Sequence, residues 1–192
     1  MINKLSKKYQ IKIPKNLKII YVEKKNLIIF EGPLKTKAFQ IDFKLYITNE
    51  YNTIYVTKIL NNKNFTTKKN NLTSIRRTTV SAIKKLILEV SVVLTKKLKL
   101  IGVGYKVFPL TVLEKEFLQF KIGFSHFIYY KVPTNIKIIS HKSVSLYIFG
   151  HSYYLINQIA ANLQKYKAPE PYKGKGILYE NERIVLKQGK KI

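Results

Sequence analysis

Ala168-Pro169-Glu170-Pro171-Tyr172-Lys173-Gly174-Lys175-Gly176-Ile177, near the carboxyl end of the chain, combines two prolines, two glycines and two lysines in ten positions. Proline fixes its own φ and disfavours helix in the residue before it, so a helix arriving from Leu163 must end here. Glycine has no side chain and lets another molecule approach the backbone and its N–H groups. The stretch therefore predicts a stiff cationic loop that suits contact with a sugar–phosphate surface.

A simpler interpretation of this stretch stays open at this point. Loops rich in proline and glycine with solvated lysines are common on protein surfaces. As a nucleotide-binding motif the stretch is weak, because it lacks the Gly-x-x-x-x-Gly-Lys-Ser/Thr pattern and follows a predicted helix rather than a strand.

The positive charge of the chain is its dominant property. Its 192 residues carry 36 Lys and Arg against 10 Asp and Glu, a net charge of +26, and 46% of them are hydrophobic. That length allows one ordinary domain or two small ones with a real core. The charge predicts a polyanionic partner, with nucleic acid first and an acidic membrane surface second. Only three cations are arginines, which favours contact with the phosphate backbone over the reading of base edges.

Other compositional features exclude whole classes of protein. The chain has no cysteine, which excludes disulfides, thiol catalysis and cysteine-based metal sites. No apolar run approaches the roughly 18 residues of a membrane-spanning helix. The lysine-rich start, Met1 to Lys8, lacks the arginines and the length of an organelle presequence. Frequent Lys, Asn, Ile, Tyr and Phe are typical of an AT-rich coding sequence, and we expect a small genome, such as an organelle's own.

The sequence of the first half predicts several short strands up to Lys58. A polar loop over Asn61–Asn71 and then a helix are predicted to follow. Thr73 or Ser74 is the expected N-cap of that helix. The helix is predicted because apolar residues recur at steps of three and four. They are Val80, Ile83, Ile87, Val90 and Leu94.

The second half repeats this order. Lys99–Val107 is predicted as one strand interrupted by two glycines, and further strands lead to a helix whose face is Leu155, Ile159 and Leu163, flanked by Ile156 and Ala160. The predicted fold class is α+β, with two tandem similar domains, each a small antiparallel sheet packed against one helix. The N-terminal domain, with a basic arm, is predicted at residues 1–96, and the C-terminal domain, with a basic tail, at residues 97–192. The junction lies near residues 95–98.

Residues for catalysis or metal binding are not grouped in the sequence. Asp42 is the one aspartate, and Glu114 and Glu116 alternate in a predicted hairpin turn, so their carboxylates would point apart. The three histidines lie in separate loops without metal-ligand spacing or nearby carboxylates. We therefore expect no catalytic residues, no metal and no cofactor. A Ser/His/Asp triad stays open in principle, although nothing brings its members together.

The 14 tyrosines and 10 phenylalanines lie mostly in strand patterns, where they are expected to fill the two cores. Tyr166 and Tyr172 are exceptions because they lie among lysines, where stacking on RNA is physically reasonable.

Several motifs, in the same order, resemble the large-subunit ribosomal protein six family. Nine consecutive residues, Pro169 to Ile177, agree with its carboxyl-terminal signature. The other motifs are Ile11-Lys12-Ile13-Pro14, Glu31-Gly32-Pro33, Thr78-Thr79 with Ser81, Gly102-Val103-Gly104-Tyr105, Gly123-Phe124-Ser125-His126 and Ala160-Ala161-Asn162.

The resemblance implies a non-enzymatic protein of the large ribosomal subunit. Its carboxyl-terminal half would grip large-subunit rRNA close to the sarcin–ricin loop and the landing area for translation factors. The chain departs from the family where Arg77 and Val80 replace a glycine and an arginine, so a contact there is expected to have moved to Arg76 or Arg77. Leu178 stands where the family usually has arginine, which weakens the case for a contact at that position.

Combining residues and resemblance, we predict a structural constituent of the large subunit. Its partners would be large-subunit rRNA, neighbouring large-subunit proteins and, transiently, translation factors, without membrane insertion. The expected location is the mitochondrial ribosome, with a plastid or bacterial cytoplasmic ribosome as the alternative. Rival functions are another basic RNA-binding protein, an RNA-acting enzyme such as a nuclease, or a peripheral membrane protein. The predicted rRNA-binding residues are Arg76, Arg77, Thr78, Lys165, Lys167, Tyr172, Lys173, Gly174, Lys175, Gly176, Lys190 and Lys191.

Overall fold

The structure, a computed structural model, describes residues 7–48, 52–61 and 69–189. The chain divides into two compact units, Met1–Val92 and Val93–Ile192, called unit 1 and unit 2 below. The predicted boundary between residues 96 and 97 falls inside the first strand of unit 2, Leu94–Ile101. Leu94 fits the helical spacing in the sequence, but it lies in this strand because the helix has already ended at Ser91.

Unit 1 is built from short strands followed by one long helix. Its strands are β1 (Gln10–Lys12), β2 (Lys18–Val22), β3 (Leu27–Glu31), β4 (Thr36–Gln40), β5 (Phe43–Thr48) and β6 (Thr53–Leu60). The helix α1 covers Lys69–Ser91, and short 3-10 helices cover Lys7–Tyr9 and Glu23–Lys25. Within the described ranges the strands form two antiparallel sheets, ordered β2-β3-β4 and β1-β6-β5.

The core of unit 1 lies between these sheets and α1. Alternate residues of the central strands β3 and β6 are buried, and they meet the apolar face of α1. Fully burying each of these side chains stabilises the fold by roughly 1.5–3 kcal/mol, so this face fixes the position of the helix. The fully buried residues include Ile28, Phe30, Ile54, Val56, Ile83 and Val90.

Unit 2 repeats the same sequence of elements. Its strands are β7 (Leu94–Ile101), β8 (Lys106–Val112), β9 (Lys115–Lys121), β10 (Ile128–Lys131), β11 (Ile136–His141), β12 (Ser145–Gly150) and β13 (Gly176–Tyr179), with the helix α2 at Tyr153–Tyr166. Helix α2 buries Ile156, Ile159, Ala160 and Leu163. Ile156 and Ala160, predicted to flank the face, are thus part of it, whereas Leu155, predicted on the face, is exposed.

The two units have the same strand order, which confirms the predicted duplication. The sheet order β1-β6-β5 in unit 1 corresponds to β7-β12-β11 in unit 2, and the meander β2-β3-β4 corresponds to β8-β9-β10. Each unit thus has two small sheets rather than the single sheet expected from the sequence. Unit 2 also has the additional strand β13, which pairs antiparallel with β7 from Gly176↔Ile101 to Tyr179↔Leu98.

The predicted start of α1 was wrong. Thr73 and Ser74 are not N-caps because α1 already begins at Lys69, and the polar first turn of a helix leaves no apolar periodicity to reveal it. Residues 69–71 of the predicted Asn61–Asn71 loop are therefore helical, while residues 62–68 lie outside the described part of the chain.

The predicted strand Lys99–Val107 is two strands joined by a turn. Gly104 has φ +74°, and a Cβ at Gly102 would lie 2.6 Å from the Tyr105 ring. The glycines therefore serve a turn folded over Tyr105, which a continuous strand would not allow.

Candidate nucleic-acid interface

The candidate site is the loop that connects α2 to β13, residues 167–175, called the C-terminal loop below. Its backbone closes on itself, because the Gly174 N–H donates to the Glu170 carbonyl (2.8 Å) and the Glu170 N–H donates to the Lys175 carbonyl (2.9 Å). The Ile177 N–H donates to the Lys167 carbonyl (2.9 Å), which joins the start of β13 to the end of α2. With two prolines inside this ring of hydrogen bonds, the loop is held in one shape.

The two glycines of the loop have different roles. Gly174 has φ +68° and is half-buried, so it permits a left-handed turn that other residues rarely adopt. Gly176 is buried in β13, where a Cβ would lie 2.7 Å from the Pro169 Cα and 2.9 Å from the Lys167 carbonyl oxygen. The space beside Gly176 is therefore occupied by the chain's own backbone, and the predicted approach of RNA at this residue is not compatible with that packing.

The outer side of the loop presents cationic and aromatic side chains. Lys173 and, at the end of α2, Lys165 are exposed, and Lys175 is half-buried. Tyr172 is 54% exposed. The side chains of Lys165, Tyr172 and Lys173 are thus accessible to a partner, and that of Lys175 is partly accessible.

The segment after β13 returns to the same loop. The Lys187 N–H donates to the Pro171 carbonyl (2.9 Å), and Leu186 Cδ2 would lie 3.3 Å from a Cβ at Gly174. This contact adds the exposed Lys187 to the cations of the site. Lys190 and Lys191, predicted as further contacts, lie outside the described residues.

A second turn of unit 2 meets the loop through Lys167. The Lys167 Nζ lies 4.5 Å from the centroid of the Phe124 ring, and Phe124 stacks on His126 with centroids 5.8 Å apart. This cation–π contact was missed from the sequence, because it depends on the packing of two segments that are far apart along the chain. It fixes the direction of Lys167 and leaves the imidazole of His126 exposed beside it.

Tyr166 belongs to the core and not to the interface. Its ring lies 5.9 Å from Phe120 and 6.3 Å from Tyr130 between centroids. Burial, and secondarily the charge of Tyr166, raises the pKa of Tyr130 above its ordinary value. The predicted stacking of Tyr166 on RNA is therefore wrong, because α2 turns this side chain towards the sheet.

Arg76, one of the three predicted contacts in unit 1, is used within the fold. Its Nε donates to the Val56 carbonyl (2.8 Å), its Nη2 donates to the same oxygen, and its guanidinium lies 3.5 Å from the Tyr9 ring centroid. Burial lowers the pKa of the Arg76 guanidinium, although Tyr9 opposes this effect. A guanidinium that is enclosed in this way does not reach a nucleic acid, so this prediction was wrong.

The neighbouring predicted residues of α1 remain on the surface. Arg77 and Thr78 are both exposed, and the Thr78 hydroxyl donates to the Ile75 carbonyl (2.7 Å). Arg77 can therefore contact a phosphate without disturbing the core of unit 1. The two residues lie in unit 1, and the C-terminal loop lies in unit 2.

Carboxylates of unit 2 near β13 are engaged within the fold. Glu180 pairs with Lys97 (2.7 Å) and Lys99 (3.8 Å). The hydrogen bond from Lys97 lowers the pKa of Glu180 and raises the pKa of Lys97. Glu182 accepts hydrogen bonds from Gln164 Nε2 (2.8 Å) and the Tyr179 N–H (3.0 Å). The carboxylate that lies within the C-terminal loop itself is that of Glu170, which is exposed.

The described residues contain no group of three or more histidines and carboxylates placed to hold a metal ion. Glu114 sits with φ +60° in the hairpin turn between β8 and β9, and it lines the rim of a depression together with Glu116. In the same part of the chain, no helix is both long and apolar enough to cross a membrane.

Comparison with known proteins finds one family. The family model described as "Ribosomal protein L6" matches residues 101–180. A protein named large ribosomal subunit protein uL6 from Chloroherpeton thalassium is 33% identical over 183 residues, which cover 95% of each chain. Its namesake from Mycoplasma capricolum is 33% identical over 180 residues, covering 94% of this chain and 93% of the relative. That from Rhizobium rhizogenes is 35% identical over 161 residues, covering 84% and 85%.

Proposed function

Because the chain belongs to the ribosomal protein L6 family, we propose that it binds large-subunit rRNA as a structural constituent of the large ribosomal subunit. Proteins of this family are structural, and the chain is not an enzyme. The observation that carries the proposed binding site is the C-terminal loop, which holds exposed cations and Tyr172 on a closed, hydrogen-bonded backbone.

The loop suits a phosphate surface because its shape is fixed before binding. Ordering a flexible loop would cost part of the binding free energy, whereas this backbone is already held at Glu170, Gly174 and Ile177. Lys173 and Lys175 provide point charges for phosphates, and the exposed Tyr172 ring packs on a sugar or base. Gly176 supports the site from inside by letting β13 lie against Pro169.

Further cations extend the interface beyond the loop. Lys165 and Lys187 are exposed on either side of it, and Lys167 is directed by Phe124. Arg77 and Thr78 provide a separate contact from unit 1. Lys190 and Lys191 are proposed as additional, mainly electrostatic contacts of the basic tail.

We further propose that this interface lies close to the sarcin–ricin loop and the landing area for translation factors. The proposal is supported by the agreement of Pro169–Ile177 with the family signature. Chemical footprinting of large subunits assembled with and without the protein tests it. Protection confined to rRNA far from the sarcin–ricin loop would contradict the placement.

The ribosome concerned is proposed to be mitochondrial. The support is the composition, in which lysine far outnumbers arginine and Asn, Ile, Tyr and Phe are frequent. A plastid or bacterial ribosome is the alternative, and the relatives named above are bacterial. Immunoblotting of purified organelles and of gradient fractions decides between them, because co-sedimentation with cytoplasmic ribosomes would contradict the mitochondrial location.

The rRNA contact is tested by the double variant Lys173→Ala/Lys175→Ala. Each lost phosphate contact reduces the slope of log affinity against log salt by about one, so we expect a slope shallower by about two. Binding of full-length protein to large-subunit rRNA is measured over a series of salt concentrations.

The matched control is Lys24→Ala/Lys25→Ala, which removes the same charge from an exposed 3-10 helix of unit 1. The control is expected to keep the wild-type slope. Equal slopes for the loop variant and the wild type would remove the C-terminal loop from the interface. Circular dichroism of both variants checks that the fold is kept.

A further inference from the structure

The four-stranded sheet of unit 2 has one face covered by α2 and one face that carries the half-buried aromatic side chains of Tyr147 and Phe149. Leu98, Leu146 and Ile148 are buried on the side that packs against α2. The opposite side, called the outer sheet face below, carries the alternate residues of β11, β12 and β7. They are Lys137, Ile139 and His141, then Tyr147 and Phe149, then Lys97 and Lys99.

The aromatic rings of this face form a connected group. Tyr147 and Phe149 are stacked with centroids 6.4 Å apart and an angle of 19° between planes. His141 meets Tyr147 edge-on, with centroids 6.5 Å apart. Together with Ile139, these side chains line a shallow depression of about 320 Å³. Such a volume is at the small end of ligand sites, roughly 300 to 1,000 Å³.

Cations surround this depression. Lys97 Nζ lies 5.1 Å from the Tyr147 ring centroid, and Lys137 is the cross-strand neighbour of Phe149. The carboxylate of Glu180 is shared between Lys97 and Lys99. The lysines therefore outnumber this carboxylate, and the face keeps a positive charge around an apolar centre.

We propose that the outer sheet face is a second RNA-binding surface, at which unpaired nucleotides stack on Tyr147 and Phe149. The proposal rests on the proposed function in so far as both take RNA as the partner. Aromatic side chains standing on a sheet stack on the faces of bases, and only unpaired bases offer those faces. The lysines at the rim would then contact the phosphates on either side of the stacked base.

The charge of the face decides between the classes of occupant. A purely apolar partner would desolvate Lys137, for which the described residues supply no ion pair, and this is costly. RNA supplies both the flat ring and the negative charge that this arrangement offers. The test distinguishes RNA from an acidic segment of another protein.

The chain contains no tryptophan, so the variant Tyr147→Trp places a single fluorescent reporter on the face. Full-length Tyr147→Trp is titrated with a short oligouridylate and with an RNA duplex, at a salt concentration that suppresses purely ionic binding. Quenching by the oligouridylate and not by the duplex is expected, because stacking needs an unpaired base. Absence of quenching, or equal quenching by both, would overturn the proposal.

A second measurement uses Tyr147→Ala/Phe149→Ala. This variant is expected to bind the oligouridylate roughly tenfold more weakly than the wild type. Tyr154→Ala, which removes a 71% exposed tyrosine from α2, is the control and keeps wild-type binding. Unchanged affinity in a folded double variant contradicts the proposal, and so does an equal loss in the control.

Ultraviolet crosslinking of assembled large subunits identifies the natural occupant. A nucleotide attached to the peptide with Tyr147 or Phe149 supports the proposal, whereas a crosslink from this peptide to another protein refutes it. Adding Lys173→Ala/Lys175→Ala to the Tyr147→Trp variant separates the two sites. Quenching of the introduced tryptophan that persists in this combined variant shows that the outer sheet face binds RNA whether or not the C-terminal loop does.

Discussion

Replacing Gly176 by alanine tests whether the C-terminal loop depends on the packing of β13. The added Cβ would lie 2.7 Å from the Pro169 Cα and 2.9 Å from the Lys167 carbonyl oxygen, both backbone atoms that cannot rotate away. Gly176 also has φ +156°, which L side chains rarely adopt. Overpacking costs about 1–3 kcal/mol and local backbone strain a similar amount. We therefore expect Gly176→Ala to destabilise the pairing of β13 by about 3 kcal/mol.

Hydrogen exchange measures this loss at a single amide. The Ile177 N–H, which donates to the Lys167 carbonyl, should lose about two decades of protection in Gly176→Ala. Amides of the hairpin β8–β9 should keep theirs. The control is Gly189→Ala, where a Cβ would have no neighbour within 4 Å, and it should behave as the wild type.

The same variant links the fold to RNA binding. Once β13 separates from β7, the lysines of the loop lose their fixed positions, and affinity for large-subunit rRNA should fall. Wild-type protection at Ile177 in Gly176→Ala would show that the backbone accommodates the methyl group. That result would refute the argument that Gly176 closes the loop.

Three further predictions concern single side chains. Arg76→Ala should lower the free energy of unfolding by about 2 kcal/mol, since it removes a buried hydrogen bond from a charged group, and it should leave the salt slope of rRNA binding unchanged. Arg77→Ala should leave the free energy of unfolding unchanged and make the salt slope of rRNA binding shallower. Urea unfolding and binding titrations compare the two variants. A shallower salt slope in Arg76→Ala would contradict the buried role of Arg76. The Lys97 pair lowers the pKa of Glu180, so its contribution to stability is present above the ordinary value of 4.5 and is lost as the pH falls through the lowered value. Thermal unfolding from pH 7 to pH 3 should therefore show a smaller decrease for Glu180→Gln than for the wild type, and identical curves would count against the pair. Phe124→Leu removes the ring under a cation and should weaken rRNA binding a few-fold, which filter binding measures; no change would mean that this cation–π contact is dispensable.

The sequence carries strong signals for the parts of the fold with regular spacing. Apolar residues at steps of three and four predicted both helices, and the prolines predicted the end of α2. The duplication was visible from the matching order of strands and helix in the two halves. These patterns involve residues that are close in sequence, so they can be recognised without knowledge of the tertiary structure.

The parts that were missed depend on tertiary contacts. Arg76 was predicted as an rRNA contact because it lies beside a motif of the family, but its guanidinium donates to the Val56 carbonyl within the fold. Strand β13 has only four residues and directly follows glycine and lysine, so the sequence shows no alternation of apolar and polar residues that would predict it. Its place is decided by the edge of β7, which is far away in sequence.

The sequence predicted which residues belong to the candidate site but not how the rest of unit 2 packs against them. The lysines and Tyr172 of the C-terminal loop are placed together, as their closeness in sequence suggested. The contribution of Phe124 and the internal role of Gly176 depend on which elements pack against the loop. Sequence spacing alone does not contain that information.

The extra strand of unit 2 has a consequence for how the protein tolerates change. Strand β13 covers an edge of β7 whose counterpart in unit 1, on β1, has no partner strand among the described residues. Uncovered edges are templates for aggregation. A substitution that frees β13 would thus impair RNA attachment and solubility together. Selection therefore acts on this end of the loop both in the assembled particle and in the free polypeptide.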